Sequence, residues 1–468
     1  MGRFLFSGLA LLFAATAAGA EPAIRATPTD VVEGNPVHIS MSGLQPGQMV
    51  TMHASRLWAH YPTGQELYRG QATYQADSGG NIDLGSNEPL PGSSYERADP
   101  AGLFWSMAPE RRLGANGLRR GPPLVSQAEL RPDQVRLEVE IEGRIVVRAD
   151  IRLRAGAEDV TLRDIREPGV VGLFARGRSA ERQPAVIVLG GSEGGLDTAR
   201  WAAPLLASQG YSVLGLAYFQ GGEPALTALR PNLEHIPLEV LVAARRWLAS
   251  QPGVDASRIA VVGVSKGAEM ALLAGAIFPW VSVVGAFAPS HVVWEGIPTD
   301  DQPDRSAGSS WTYRGRPLPY VRWSKAAERR GNLVRTATGS SRLTEVHLES
   351  LAEYATDVAA ATIPIDRSRA AVFIAAGSDD GMWPSAYATE RLRERLARRG
   401  PELVSHIETQ ATGHLILGTG WGPTTQFQRT RGRLQGGNAK LDAEAQRAIW
   451  PVFLQFLRRH LPEATASP

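Results

Sequence analysis

The stretch GVSKGAEMALLAG, Gly263–Gly275, follows the apolar run IAVV at Ile259–Val262. Read outward from Ser265, it is a β-forming run, a glycine-flanked turn and a helix-forming run. A serine in a glycine-rich turn is often purely structural. At a strand-to-helix junction, however, G-x-S-x-G has a second meaning. The glycines let the chain reverse tightly, and the serine takes a strained backbone. Its hydroxyl then stands above the sheet, at the positive end of the next helix. That is where a nucleophile belongs.

The flanking sequence supplies the sheet and helices such a turn needs. VTLRDIREPGVVGLFAR reads as a hairpin opening this part of the chain. PAVIVLG, YSVLGLAY, RIAVVG, VSVVGAFA, AVFIAAG and LVSHIET read as strands. TARWAAPLLASQG, PLEVLVAARRWLASQPG, SKGAEMALLAGAIF, SAYATERLRERLARRG and LDAEAQRAIWPVFLQFLRRHL read as amphipathic helices between or after them. Apolar strands alternating with helices predict a mostly parallel, doubly wound sheet, an α/β fold. The alternation lapses from about 290 to 364, which reads as an insertion over the strand ends and a candidate lid.

A serine hydroxyl needs a base and an orienting acid, and an α/β-hydrolase places them in the order Ser, Asp or Glu, His. His406, His414 and His460 lie late enough in the chain. His406 falls within a strand, and His460 in the last turn of a helix, where a cation suits the dipole. His414 lies in the loop ATGHLI beside a glycine and is the expected base. The acid belongs in SDDGMWP after AVFIAAG. G-x-x-D spacing from Gly377 selects Asp380 over Asp379, which reads as a turn former or cap. The oxyanion of an acyl-transfer reaction needs backbone donors: the Lys266 amide, and Ser192 or Glu193 in GGSEGG, Gly190–Gly195. GGSEGG lacks the Lys-Ser/Thr ending of a phosphate-binding P-loop. Glu269 reads as a solvated or capping carboxylate, and Lys266 as more valuable for its amide than its ammonium.

Residues 21–155 have a different rhythm. PVHISMSG, GQMVTMHASRLW and QVRLEVEIEGRIVVRADIRLR alternate with period two, and GLQPGQ, DSGGN and LPGSS are turns. This part predicts an Ig-like β-sandwich preceding an α/β-hydrolase catalytic domain at 156–468. The first 20 residues, with Arg3, an apolar core at Phe4–Ala15 and Ala18-Gly19-Ala20, read as a cleavable signal peptide for export. No later segment is apolar enough to act as a stable membrane anchor. The formal net charge of +2 comes from scattered arginines, so Arg111–Gly121 reads as solvated loop and nucleic acid is not an expected partner. The 468 residues include no cysteine, which excludes disulfides, thiolate metal sites and a cysteine nucleophile. HExxH is absent and the histidines are scattered, so neither a metal nor a cofactor is expected.

Several segments together resemble the acyl-CoA thioesterase / bile acid-CoA:amino acid N-acyltransferase family. They are SYERADPAGLFWSMAP (Ser94–Pro109), GVSKGAE, WTYRGRPLP, GSDDGMWPS, ATGHLI and GGNAKLDAEAQRAIW. The resemblance implies cleavage or transfer of fatty-acyl thioesters through a triad that maps onto Ser265, Asp380 and His414. Conjugating members look to carry cysteine at the nucleophile, so serine here implies water as acceptor. Coenzyme A is a cytosolic cofactor, so an exported chain points also to an esterase or amidase acting on another small acyl substrate. An acyltransferase and a noncatalytic binding protein are the remaining readings.

Overall fold

A computed structural model describes residues 21–60, 64–110, 130–179, 181–223, 225–298, 306–425, 429–430 and 432–462. The leader at 1–20 and the arginine cluster at 111–121 lie outside them.

The catalytic half is built on one eight-stranded sheet. Its strands are β1 (Thr161–Glu167), β2 (Val170–Arg176), β3 (Gln183–Leu189), β4 (Ser212–Ala217), β5 (Val254–Val264), β6 (Val281–Phe287), β7 (Ala371–Gly377) and β8 (Val404–Thr409). They lie in the order β1-β2-β4-β3-β5-β6-β7-β8. β1 and β2 form the expected hairpin, β2 pairs antiparallel with β4, and every later pairing is parallel.

Helices cover both faces, which is why β3 and β7 are buried along their whole length. The pleat sorts each strand between two cores. Ala185, Ile187 and Leu189 of β3 join one cluster, while Val186 and Val188 join the other. Helices α2 (Val240–Ser250), α3 (Lys266–Ile277) and α7 (Ser385–Leu396) pack into the first core. Helices α1 (Asp197–Ala207) and α8 (Ala439–His460) pack into the second. α3 is buried from Lys266 to Gly275, and its run of small and branched apolar residues lets it sit in the middle of the molecule.

Between β6 and β7 the chain is more regular than its sequence suggests. It contributes Trp311–Tyr313 and Arg316–Pro317 to a three-stranded sheet with Ile236–Pro237. Helices α4 (Lys325–Thr338), α5 (Thr344–Glu353) and α6 (Ala355–Ala361) follow. α5 and α6 are short, and α4 is polar, carrying Gly331 within it and Gly339 as a left-handed C-cap, so periodicity did not reveal them.

The N-terminal part is a β-sandwich. A six-stranded sheet holds Asp30–Val32, Arg144–Arg154, Gln134–Ile141, Met49–His60, Gly64–Gln75 and Ala108–Pro109. A three-stranded sheet holds Ala23–Thr27, His38–Ser42 and Ile82–Asp83. Their shared core is completed by Trp421 and Ala443 of the catalytic half. The SYERADPAGLFWSMAP segment makes this junction. Asp99 accepts hydrogen bonds from the Ala101 amide and Trp105 Nε1, each 2.8 Å, and from Arg447 Nη2 of α8 at 2.9 Å. Phe104 meets Trp421 edge-on at 5.6 Å, and the Thr424 amide donates to the Trp105 carbonyl. A buried carboxylate with three donors is strongly destabilising to remove. Asp99→Ala should therefore cost about 2–4 kcal/mol, read as a lower denaturant midpoint, and Asp99→Asn less. Wild-type stability in Asp99→Ala would show that the junction does not depend on this group.

Candidate active site

Ser265 is the first residue beyond β5 and caps α3. Its backbone sits at φ 57° and ψ −122°, a region that residues with a Cβ rarely occupy. Two close approaches force the conformation. A Cβ on Gly263 would lie 2.1 Å from the Gly267 carbonyl oxygen, and one on Gly267 would lie 2.4 Å from the Gly190 oxygen. Both obstacles are backbone, so neither position tolerates a side chain. The Ser265 amide donates to the Phe287 carbonyl at 2.9 Å. Its hydroxyl makes no capping bond to the helix, which leaves it available to a substrate.

The predicted acid and base meet directly. His414 Nδ1 donates to Asp380 Oδ2 at 2.8 Å, with His414 5% and Asp380 3% exposed. Because the carboxylate accepts this bond, Nδ1 carries the hydrogen and Nε2 keeps its lone pair. Asp380 Oδ1 accepts from the amides of Met382 (2.8 Å) and Trp383 (3.2 Å), which fixes the carboxylate plane. The His414 loop is held by Asp442 of α8, whose Oδ1 accepts the Gly413 amide at 2.8 Å. Asp379 does different work: its carboxylate accepts the Gly437 amide at 2.8 Å and pairs with Arg342 at 2.9 Å. The G-x-x-D count therefore selected the residue that bonds the histidine.

Ser265 follows β5 and His414 follows β8, with β6 and β7 between them in the sheet, and no hydrogen bond joins their side chains among the described residues. They are linked through Trp383. Its Nε1 donates to the Ala288 carbonyl at 3.0 Å, one residue past the acceptor of the Ser265 amide, and its ring lies 6.0 Å from that of His414. Nucleophile–base hydrogen bonds in free enzymes are often long and tighten when substrate binds. The other two histidines stand apart. His406 is exposed on the edge strand β8, and His460 packs its ring at a tilt against Phe456, 4.5 Å away, at the end of α8.

Of the backbone donors, the Lys266 amide opens α3 and has no carbonyl behind it in the helix. The GGSEGG loop follows β3 and lies against the elbow: a Cβ on Gly191 would be 3.1 Å from Ser265 Cβ. The Gly191 amide is occupied, donating to Glu193 Oε1 at 2.9 Å. Ser192 and Glu193 are both exposed.

The sheet order, the strained elbow and the Asp–His pair beyond it define an α/β hydrolase. The N-terminal part, residues 34–167, matches the acyl-CoA thioester hydrolase/BAAT N-terminal region. Residues 236–463 match the BAAT / acyl-CoA thioester hydrolase C-terminal region. The chain is 27% identical over 449 residues to acyl-coenzyme A thioesterase 1 of Homo sapiens, covering 91% of this chain and 93% of that protein. It is 28% identical over 439 residues to acyl-coenzyme A thioesterase 5 of Mus musculus, with 91% and 93% covered. Among solved structures, a dienelactone hydrolase-like promiscuous phosphotriesterase aligns over 64% of this chain at 15% identity, with a TM-score of 0.38. The chain belongs to the acyl-CoA thioesterase/BAAT family.

One expectation near the elbow needs correction. Glu269 is not solvated; it is fully buried, as is the Lys266 ammonium. Lys266 Nζ donates to Glu269 Oε2 at 3.0 Å and to Ser310 Oγ at 2.7 Å. Glu269 Oε1 accepts from Trp311 Nε1 at 2.6 Å and from the Trp294 amide at 3.1 Å. Burial pushes the lysine down and the glutamate up, and each is drawn back by its partner. The insertion covers the pair, so sequence position alone suggested a solvent-facing turn. His347 of α5 is a further residue that sequence reasoning missed. It is buried with its ring 4.6 Å from Trp294 and 4.8 Å from Trp323, and desolvation lowers its pKa to about 4. The tryptophan-rich composition of the insertion was the one available signal for this packing.

Removing one member of a buried pair strands the other charge. Lys266→Met should cost about 3–5 kcal/mol, and Lys266→Met with Glu269→Gln should recover most of it, both read by chemical denaturation. A single variant as stable as wild type would contradict the pairing.

Proposed function

We propose that this chain is a serine hydrolase that cleaves fatty-acyl thioesters of the coenzyme A type to free acid and thiol. Ser265 Oγ attacks the acyl carbon while His414 Nε2 takes its proton. The tetrahedral oxyanion is held by the Lys266 amide and a donor from the GGSEGG loop. As the intermediate collapses, His414 returns the proton to the leaving thiolate, leaving an ester on Ser265. Water then attacks that ester by the same route, His414 taking its proton and returning it to Ser265. Asp380 keeps Nδ1 protonated and offsets the charge on the imidazolium throughout.

The observation that carries this reading is the strained Ser265 at the β5–α3 junction beside a 2.8 Å His414–Asp380 pair. The substrate class is supported by the named activity of the relatives. A second reading has its own observation. If the first 20 residues direct export, with cleavage near Ala20, the enzyme meets little coenzyme A, and an exported carboxylesterase or amidase with the same triad is favoured. No helix among the described residues is long and apolar enough to cross a membrane.

One assay separates the two. Purified protein, incubated with saturated acyl-CoAs of graded length and with p-nitrophenyl esters, should release free thiol. Ser265→Ala, His414→Ala and Asp380→Ala should each lower turnover, the serine variant by at least about a thousandfold. Ester cleavage without thiol release moves the substrate to the second reading; full activity in Ser265→Ala overturns both.

A further inference from the structure

We infer that Tyr218 is a positioning residue for oxyanion binding, and that the donor it sets is the amide of Ser192. This rests on the serine-hydrolase reading and deepens it.

Tyr218 is the first residue beyond β4 and is 5% exposed. Its hydroxyl donates to the Gly190 carbonyl at 2.6 Å and lies 3.1 Å from the Gly191 carbonyl. Its ring is wedged between Phe219, 5.2 Å away, and Trp311, 5.7 Å away. Burial, with the Glu193 and Glu269 carboxylates nearby, pushes the phenol well above its ordinary range, so it remains a donor.

The strand order gives the bond its meaning. β3 lies between β4 and β5. Gly190 and Gly191, which continue β3, are therefore flanked by Tyr218 on the β4 side and Ser265 on the β5 side. In a trans peptide the carbonyl and the following N–H lie on opposite edges of one plane. The Gly191 oxygen is turned toward Tyr218, so the Ser192 N–H of that peptide faces the Ser265 side. The 3.1 Å approach of a Gly191 Cβ to Ser265 places this peptide against the nucleophile. A flipped peptide would present its oxygen to a developing oxyanion and take away the second carbonyl that the Tyr218 hydroxyl faces, leaving it Gly190 alone.

Other bonds pin the neighbouring groups. The Gly191 amide is occupied by Glu193 Oε1, which also accepts from Thr198 Oγ1 at 2.8 Å. The Gly194 amide donates to the Gly191 carbonyl at 3.3 Å, and the Gly222 amide to that of Glu193 at 2.8 Å. Trp311 belongs to the block around Lys266, so one side chain backs both proposed oxyanion donors.

The test is a double-mutant cycle on Tyr218→Phe, which deletes one oxygen atom, and Ser192→Pro, which deletes the N–H itself. Turnover is measured on a saturated acyl-CoA and on p-nitrophenyl butyrate, with binding of an acyl trifluoromethyl ketone as tetrahedral mimic. Ser192→Pro should lower kcat about a hundredfold and Tyr218→Phe about ten- to a hundredfold, with KM within about threefold. Ketone affinity should fall in step with kcat. The double variant should be no worse than Ser192→Pro within about threefold, because both changes act on one hydrogen bond. Wild-type kcat in either single variant, or losses that multiply in the double, would overturn the inference. Should Tyr218→Phe fail to fold, Ser192→Pro decides alone, with unchanged kcat refuting it and assigning the role elsewhere in the loop. If wild type has no Ser265-dependent turnover, the underlying reading fails and this one falls with it.

Discussion

The contact on which the site depends is backbone against backbone: α3 pressed by Gly267 onto the end of β3, where a Cβ would meet the Gly190 oxygen at 2.4 Å. That approach leaves Ser265 no room for ordinary extended or helical geometry. A strained residue of this kind costs about 1–3 kcal/mol and persists only where its surroundings over-determine it. Here they do. α3 is buried along most of its length, the strand before it is paired on both sides, and the Ser265 amide is tied to β6. The same compression brings the GGSEGG loop to Ser265, so the elbow and its proposed oxyanion loop are one packing event.

From that contact outward, the site is braced by the insertion between β6 and β7. Trp294, Ser310 and Trp311 close over the Lys266–Glu269 pair, and Trp311 continues to Tyr218 behind the loop. Val292, Trp294, Trp311 and Val321 are almost wholly buried. This part of the insertion is therefore core, and only the half-exposed helices α4–α6 match the expectation of a lid. On the opposite flank, α8 holds the His414 loop through Asp442 and holds the sandwich through Arg447. One helix thus connects the N-terminal sheets to the His414 loop.

What the sequence made legible was whatever is encoded locally. Period-two and amphipathic runs marked the strands and helices of the large sheet, and G-x-S-x-G marked its strained turn. G-x-x-D separated Asp380 from Asp379 because loop geometry fixes which carboxylate faces the next strand. What stayed hidden depends on contacts between distant segments. Glu269 looks solvated until Trp294 and Trp311, 25 and 42 residues later, are laid over it. Tyr218 looks like the end of a strand until Gly190 is brought alongside. Asp99 shows no partner in the sequence until Arg447 arrives from near the other end of the chain. The insertion helices escaped notice because α5 and α6 are short and the polar run of α4 is interrupted by glycine.

The proposed reaction requires that the strained hydroxyl at the β5–α3 junction become covalently acylated. Rapid acid quenching of the enzyme during turnover of a saturated acyl-CoA, followed by peptide mass spectrometry, tests it most directly. The account predicts a transient acyl mass increment on the peptide that contains Ser265, absent when the reaction has run to completion. Turnover with that peptide unmodified at every quench time, or an adduct on a different residue, would contradict it.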